Sequence, residues 1–93
     1  MKYVVYLIVT SAKNKTISYV GYTNNLKARI EKHNNSQGAK YTKGKLWKLA
    51  YYKNYKSKSR AMSEEYKLKK NYKLRNKIKL KYLNNENFNS ITL

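Results

Sequence analysis

The sequence contains no cysteine, no aspartate and one histidine. The missing cysteines exclude disulfide frameworks and cysteine-ligated zinc sites, and a single histidine excludes a metal centre built from several histidines. No apolar run approaches the ~20 residues that cross a bilayer, and residues 3–9 are too short and too polar-flanked for a secretory leader. We therefore expect a soluble, intracellular, cytoplasmic protein with no membrane partner.

Acidic residues are scarce and basic residues abundant: 22 Lys+Arg stand against 4 Asp+Glu, giving a formal net charge of +18. Such an excess attracts polyanions, and lysine-rich surfaces bind nucleic acid by releasing counterions from its phosphate backbone. An anionic membrane surface or a ribosomal RNA site is the alternative. Each acid is informative in this background, and two of them, Glu64 and Glu65, are adjacent within a basic segment.

The 93 residues predict one α+β domain over residues 1–83, with a frayed tail over 84–93. Residues 3–10 and 16–22 are β-branched and aromatic, and form an antiparallel hairpin around the turn at 11–15. A third strand is expected at 46–55. Helices are expected at 23–34, from Ser57 or Ser59 to residue 70, and at 72–83. The predicted fold is a three-stranded antiparallel sheet flanked by helices, in the order β-β-α-β-α-α.

The prediction of function is built around the stretch from Tyr19 to Asn34. It opens as a strand, turns at Gly21 and continues as a helix with Thr23 as N-cap. Arg29 and His33 are four residues apart on that helix, so both side chains leave the same face. They lie at the border of the apolar stripe, from which polar side chains reach a surface cleft beside the sheet.

These residue types match the needs of phosphodiester hydrolysis. The reaction requires a group that activates water, positive charge at the phosphorane and, usually, a divalent metal held by a carboxylate. Tyr6 or Tyr19 serves the first need, Arg29 and His33 the second, and Glu65 the third. Each of these residues also has an alternative explanation that involves no catalysis. The tyrosines would pack in the core, and Arg29 would face solvent. His33 would cap a helix end, and Glu65 would pair with a lysine one helical turn later.

Several motifs resemble the GIY-YIG nuclease family. V-V-Y at residues 4–6 stands where the family has G-I-Y, and Y-V-G at residues 19–21 where it has Y-I-G. The resemblance continues through G-Y-T-N-N-L-K-A-R-I-E-K-H-N, G-A-K-Y-T-K-G-K and S-R-A-M-S-E-E-Y-K-L-K-K, and covers about residues 3–83. It is closest to the small single-domain branch, which is similar to the catalytic domain of structure-selective resolving nucleases. Val4, in place of the family's glycine, is a departure.

The resemblance implies a role for each of the five residues. Tyr6 and Tyr19 would be the tyrosines of the first and second motifs, and Arg29 would contact the scissile phosphate. His33 would support a tyrosine, and Glu65 would be the carboxylate that binds one Mg²⁺ or Mn²⁺. The implied activity is DNA hydrolysis in a single displacement, in DNA repair or recombination.

The loop that follows the first helix contains a second group of candidates. Lys40, Lys43 and Lys45 surround Tyr41, and we interpret them as a phosphate-gripping loop in which Tyr41 stacks on a base. A solvated loop whose lysines follow composition is the alternative. Gly38 and Gly44 would let this backbone approach the strand.

The sequence contains no zinc finger, helix-turn-helix or RNP motif for base readout. The leading hypothesis is therefore a divalent-metal DNA endonuclease that recognises shape or strandedness: single strands, flaps or branches. A catalytically silent nucleic-acid binder stays open, as does an accessory nuclease subunit whose protein partner supplies substrate choice. The oligomeric state is left open.

Overall fold

The computed structural model describes the backbone of residues 2–12 and 15–92, and the side chains of residues 2–11 and 15–84. Over these residues the chain forms an α+β fold in the order β-β-α-β-α-α, which confirms the predicted fold class. The elements are β1 (Tyr3–Ala12), β2 (Lys15–Thr23), α1 (Leu26–Asn34), a short 3₁₀ turn (Lys40–Thr42), β3 (Lys48–Tyr55), α2 (Lys58–Lys70) and α3 (Tyr72–Thr92).

The strand β1 is the centre of the sheet, with β2 and β3 antiparallel on either side of it. Its sequence is a continuous apolar run, which is typical of a strand that is covered on both faces. All residues from Val4 to Val9 are buried. The hairpin partner β2 is an edge strand, so its outer side carries no further strand of the sheet.

The two faces of β1 contribute to two hydrophobic cores, because successive strand residues point to opposite faces. The core between the sheet and helices α2 and α3 consists of Val5, Leu7, Val9, Val20, Ala61 and Leu68. The core on the other face contains Tyr6, Ile8 and Trp47, with Leu26 and Ile30 of α1 packed against it. Burial of each such side chain contributes roughly 1.5–3 kcal/mol, so packing fixes α1 above Tyr6.

The N-cap of α1 is Asn25 and not the predicted Thr23. The Asn25 side chain accepts a hydrogen bond from the backbone N–H of Ala28 at 3.2 Å. The Thr23 hydroxyl instead accepts from the Asn25 backbone N–H at 3.1 Å, which shapes the approach to the helix. Ser57 caps α2 as predicted, accepting from the Arg60 backbone N–H at 3.1 Å.

The third strand begins at Lys48, two residues after its predicted start, and α3 extends to Thr92, beyond its predicted end at residue 83. The predicted fraying of residues 84–93 stays a prediction, because helical geometry in one structure does not report on motion. Within the described part of the chain, no helix combines the length and hydropathy that a membrane crossing requires.

Candidate active site

Tyr6 lies at the centre of the candidate site. It stands opposite Gly21 in the β1–β2 register, and its ring lies across that glycine. A Cβ at position 21 would overlap the Tyr6 hydroxyl and come within 2.6 Å of its ring carbon Cζ. The chain therefore does not turn at Gly21 as predicted; β2 continues to Thr23. A glycine is required here because the Tyr6 ring covers the strand so closely.

His33 is fully buried, so the prediction that it reaches a surface cleft is wrong. Its Nε2 lies 2.7 Å from the Tyr6 hydroxyl oxygen, and its Nδ1 lies 2.9 Å from Thr42 Oγ1. The imidazole also packs against Gly38, where a Cβ would come within 2.9 Å of the ring carbon Cε1. Gly38 thus gives the loop its close approach, to the α1 histidine and not to a strand.

The hydrogen bonds around Thr42 assign the tautomer of this ring. A hydroxyl has one hydrogen, and Thr42 donates it to the Ala39 carbonyl oxygen at 2.8 Å. Toward His33 the same oxygen must therefore accept, so the proton of the neutral ring is on Nδ1. The lone pair of Nε2 then accepts the hydrogen bond that the Tyr6 hydroxyl donates. The result is a directed chain of donors from Tyr6 through His33 and Thr42 to Ala39.

Burial sets the protonation states in this chain. It lowers the pKa of His33, and the nearby charge of Arg29 lowers it further, so the ring is neutral at neutral pH. Burial also raises the pKa of Tyr6 above its usual value of 10.0, while a hydrogen bond and the charge of Arg29 act in the opposite direction. Tyr6 is therefore a protonated phenol whose hydrogen points at an unprotonated nitrogen.

Arg29 connects the buried tyrosine to the surface. Its guanidinium acts on Tyr6 through a hydrogen bond and through charge. The same residue, with Lys32, lines an open depression of about 230 Å³ at the start of α1. The two cations face this depression from successive turns of one helix face, so an anion bound there would contact both.

Tyr19 is on the same face of the sheet as Tyr6. It pairs with Ile8 in the strand register, two residues along β1 from Tyr6. Its ring contacts His33 edge-on, with ring centroids 5.2 Å apart, and stacks on Tyr41 with centroids 6.1 Å apart. Both motif tyrosines therefore meet at the His33 ring.

Glu65 lies on the sheet-facing side of α2. It lies four residues after Ala61 and three before Leu68, both of which are buried, so its carboxylate is only 17% exposed. Its negative charge acts on Tyr6. The neighbouring Glu64 instead acts on Tyr55 of β3, on the other side of the helix. The two adjacent acids thus face different parts of the molecule.

The four predicted loop residues are next to this cluster. Lys40, Tyr41 and Thr42 form the 3₁₀ turn, and Tyr41 is half exposed. The Lys45 Nζ lies 5.6 Å from the centroid of the Tyr41 ring and 3.3 Å from the Tyr41 carbonyl oxygen. Lys40 and Lys43 are exposed. The Tyr41 ring and the nearby lysines therefore extend the candidate site outward from Tyr19.

Comparison with known proteins decides the family. The family model described as the GIY-YIG catalytic domain matches residues 2–79. The chain belongs to the GIY-YIG family. It therefore carries a catalytic domain of nuclease type.

Small relatives within the GIY-YIG family match most of the chain. The "UPF0213 protein in ldhD 5′ region" of Pediococcus acidilactici is 45% identical over 83 residues, covering 86% of this chain and 81% of its own. A UPF0213 protein of Clostridium perfringens is 44% identical over 66 residues, covering 70% of each. A UPF0213 protein of Bacillus halodurans with a solution NMR structure is 36% identical; the match covers 89% of this chain and 85% of that one, with a TM-score of 0.44.

The GIY-YIG family typically uses a divalent metal. The kind of metal site that this chain can form depends on its oxygen and nitrogen ligands. Among the described side chains, those of residues 2–11 and 15–84, no three His, Asp or Glu form a group that could hold a metal ion. Glu65 is the acid whose charge acts on Tyr6, and Mg²⁺ commonly binds through one or two carboxylates, water and substrate phosphates. The residues therefore fit an ion shared between one carboxylate and a bound phosphate.

Sequence reasoning missed two residues that support the GIY-YIG site. Thr42 is fully buried beside His33, although its neighbours Tyr41 and Lys43 are exposed and no periodicity identifies it. Asn34 accepts a hydrogen bond from the Trp47 backbone N–H at 2.6 Å and donates to the Trp47 carbonyl oxygen at 3.2 Å. This pair joins the end of α1 to the residue that precedes β3.

Proposed function

We propose that this protein is a divalent-metal-dependent DNA endonuclease that selects its substrate by shape or strandedness. The observation that carries the proposal is the hydrogen-bonded chain from Tyr6 through His33 to Thr42, with Arg29 and Glu65 both acting on the Tyr6 hydroxyl. Core tyrosines commonly find one hydrogen-bond partner. A tyrosine whose hydroxyl is hydrogen-bonded to a neutral imidazole and feels the charges of an arginine and a glutamate is suited to proton transfer.

Tyr6 acts in this proposal as the group that takes a proton from water. A phenol whose pKa is raised is protonated at neutral pH, so it accepts a proton only if it passes its own to another group. His33 Nε2 is 2.7 Å away with its lone pair toward the hydroxyl. As water attacks the phosphate, its proton moves to the Tyr6 oxygen and the Tyr6 proton moves to Nε2, while the bond from phosphorus to the leaving oxygen breaks and that oxygen takes a proton from solvent. Tyr19 packs against the same ring and keeps it in place.

Arg29 binds the scissile phosphate and stabilises the charge that develops on its oxygens. Tyr6 has no exposed surface in the free protein. Its hydroxyl therefore meets the attacking water only when Arg29 turns from Tyr6 toward the phosphate in the neighbouring depression. Substrate binding and exposure of the tyrosine are thereby coupled through one side chain.

Glu65 would hold the single Mg²⁺ or Mn²⁺, together with oxygens of the bound phosphate. When bound, this ion supplies positive charge at the leaving group and at the phosphorane. In the free protein Glu65 forms an ion pair with Lys69, whose Nζ lies 3.4 Å from Glu65 Oε1. On binding, Lys69 exchanges that contact for the DNA backbone.

Selection of DNA by its shape follows from the kind of contacts that this surface makes with the DNA backbone. Lysines contact phosphates, which fix position but carry no sequence information, and Lys40, Lys43 and Lys45 supply such contacts around Tyr41. Roles in DNA repair or recombination, an intracellular location and a protein partner that supplies substrate choice are part of the same proposal. A net charge of +18 makes the binding strongly salt-dependent.

The test is a cleavage assay with end-labelled single-stranded, duplex, flap and branched DNA in Mg²⁺ or Mn²⁺. The wild type is compared with Glu65→Gln and with Glu64→Gln, a matched control on the adjacent residue. We expect metal-dependent nicking of the single-stranded, flap or branched substrates, lost in Glu65→Gln and retained in Glu64→Gln. DNA binding without cleavage of any substrate would refute the proposal and favour a silent binding domain.

A further inference from the structure

A second cavity opens beside the candidate active site, at the outer edge of β2. It has a volume of about 280 Å³, and its lining includes Tyr19, Tyr41, Lys69 and Arg75. Two of these residues belong to both places: Tyr19 packs on His33, and Lys69 pairs with Glu65. Whatever occupies the cavity therefore contacts two residues that also contact His33 or Glu65.

Arg75, on the first turn of α3, brings a positive charge to this cavity, and its guanidinium lies 5.7 Å from the centroid of the Tyr72 ring. Its Nε is buried and has no hydrogen-bond partner among the described residues. The described ion pairs of Glu64 and Glu65 are with other cations, and none involves Arg75. Burying a guanidinium nitrogen without a partner is costly, and an anion within the cavity would remove that cost.

The aromatic part of the lining indicates which kind of anion fits. Tyr41 is 52% exposed and is already held by its stacking on Tyr19, so it offers a preorganised ring for a planar group. At about 280 Å³ the cavity is at the lower limit of small-ligand pockets, roughly 300–1,000 Å³. A phosphate and one planar base fit this combination of charge, ring and size.

We propose that this cavity binds one unpaired nucleotide of the DNA strand, next to the phosphate that is cut. Its phosphate lies on the Arg75 guanidinium, and its base lies against the exposed part of Tyr41. A base within a base pair is stacked in the duplex and must leave it to enter a pocket. The cavity thus gives the protein a preference for single-stranded DNA or a flap over an uninterrupted duplex. The inference rests on the proposed nuclease function.

The experiment measures binding of uncut DNA, in EDTA, by fluorescence anisotropy. A short single-stranded oligodeoxynucleotide and the corresponding blunt duplex are titrated with the wild type, Arg75→Gln and the matched control Lys73→Gln. Lys73 is an exposed cation two residues away that does not line the cavity. We expect Arg75→Gln to weaken single-strand binding by about tenfold, because a charged hydrogen bond is lost, and duplex binding by about twofold, as for Lys73→Gln.

A second variant and a second ligand keep the test decisive if Arg75→Gln does not fold. Arg75→Lys keeps the charge but not the planar fork, so it should lose part of the single-strand preference while its thermal unfolding stays close to that of the wild type. A free 5′-mononucleotide should shift the backbone amide NMR signals of residues 18–20. The same shifts with inorganic phosphate alone would show that the base is not recognised, and would overturn the proposal.

The outcomes separate this proposal from the nuclease assignment. If the wild type cleaves DNA but Arg75→Gln and Lys73→Gln bind single strands equally well, the cavity proposal is wrong and the nuclease stands. If Arg75→Gln loses the single-strand preference while the wild type cleaves no substrate, the cavity binds a nucleotide and the catalytic proposal fails.

Discussion

Replacing Thr42 by valine tests the proton path without touching a group that meets the substrate. Valine has nearly the shape of threonine but no hydroxyl, so the Nδ1–H of His33 loses its acceptor 2.9 Å away. The Ala39 carbonyl oxygen keeps a donor, because the Thr42 backbone N–H also lies 3.0 Å from it. The substitution therefore leaves one specific polar atom unsatisfied, on the imidazole.

The imidazole can respond by moving its proton to Nε2, where it faces the Tyr6 hydroxyl. Tyr6 must then accept a hydrogen bond and can no longer pass its proton to His33. A hydrogen bond of this kind is worth roughly 0.5–1.5 kcal/mol, and an unsatisfied buried donor costs roughly 1–3 kcal/mol. A shift of one to two kcal/mol changes a population roughly 5- to 30-fold, so we expect the single-turnover cleavage rate to fall by about that factor.

The assay pairs cleavage kinetics with a direct measurement of the tautomer. His33 is the only histidine in the chain, so ¹⁵N NMR of the imidazole needs no assignment. The wild type should carry its proton on Nδ1, Thr42→Val should shift it to Nε2, and Thr42→Ser should restore both tautomer and rate. Affinity for DNA should be unchanged throughout. A wild-type ring protonated on Nε2, or a fully active Thr42→Val protein, would refute the reasoning.

Three further predictions concern packing, pH and salt. Gly21→Ala places a Cβ within 2.6 Å of Tyr6 Cζ; we expect a loss of roughly 1–3 kcal/mol by chemical denaturation together with loss of cleavage, and unchanged stability would contradict the packing. Because the folded state lowers the pKa of His33 below its usual 6.5, the unfolded chain binds a proton first as pH falls, so wild-type stability should decrease below about pH 6.5, and His33 contributes no slope above that pH. His33→Gln should lack that slope, and identical slopes would contradict it. Lys43→Gln should lower the slope of log affinity against log salt for single-stranded DNA by about 0.7; an unchanged slope would exclude a phosphate contact at Lys43.

The fold could be predicted because its main elements depend on local pattern. The unbroken apolar run of β1 predicted a buried strand, and the Leu26–Ile30 spacing correctly predicted which side of α1 is buried. Ser57 also works as a cap because the polar residue directly precedes the helix. Each of these features is decided within a few residues of sequence.

The sequence predicted several residues that the fold brings close together, but it did not predict how deeply they are buried. Nothing near His33 in sequence indicates that Gly38, five residues later, packs against the ring and buries it. The role of Thr42 depends on a loop that returns to the histidine, and the role of Gly21 depends on a ring from the neighbouring strand. Contacts between segments decide all three, and periodicity within one element does not report on them.

The separate orientations of Glu64 and Glu65 show the same limit. Both border the buried stripe of α2, and their sequence neighbourhoods are nearly identical. The sheet beneath the helix distinguishes them, since Glu65 acts on Tyr6 and Glu64 on Tyr55. The family resemblance favoured the second acid, and the electrostatics of the fold support that choice.

The central claim is that the Tyr6 hydroxyl passes a proton between water and His33. Tyr6→Phe removes only that oxygen, and Tyr52→Phe is its control, because Tyr52 is exposed and pairs with Tyr6 on β3. Single-turnover cleavage of the preferred substrate is measured for both variants, with DNA affinity in parallel. The account predicts a rate at least about a hundredfold lower for Tyr6→Phe, as general acid–base catalysis contributes, with affinity unchanged and Tyr52→Phe fully active. Cleavage by Tyr6→Phe at the wild-type rate would contradict it.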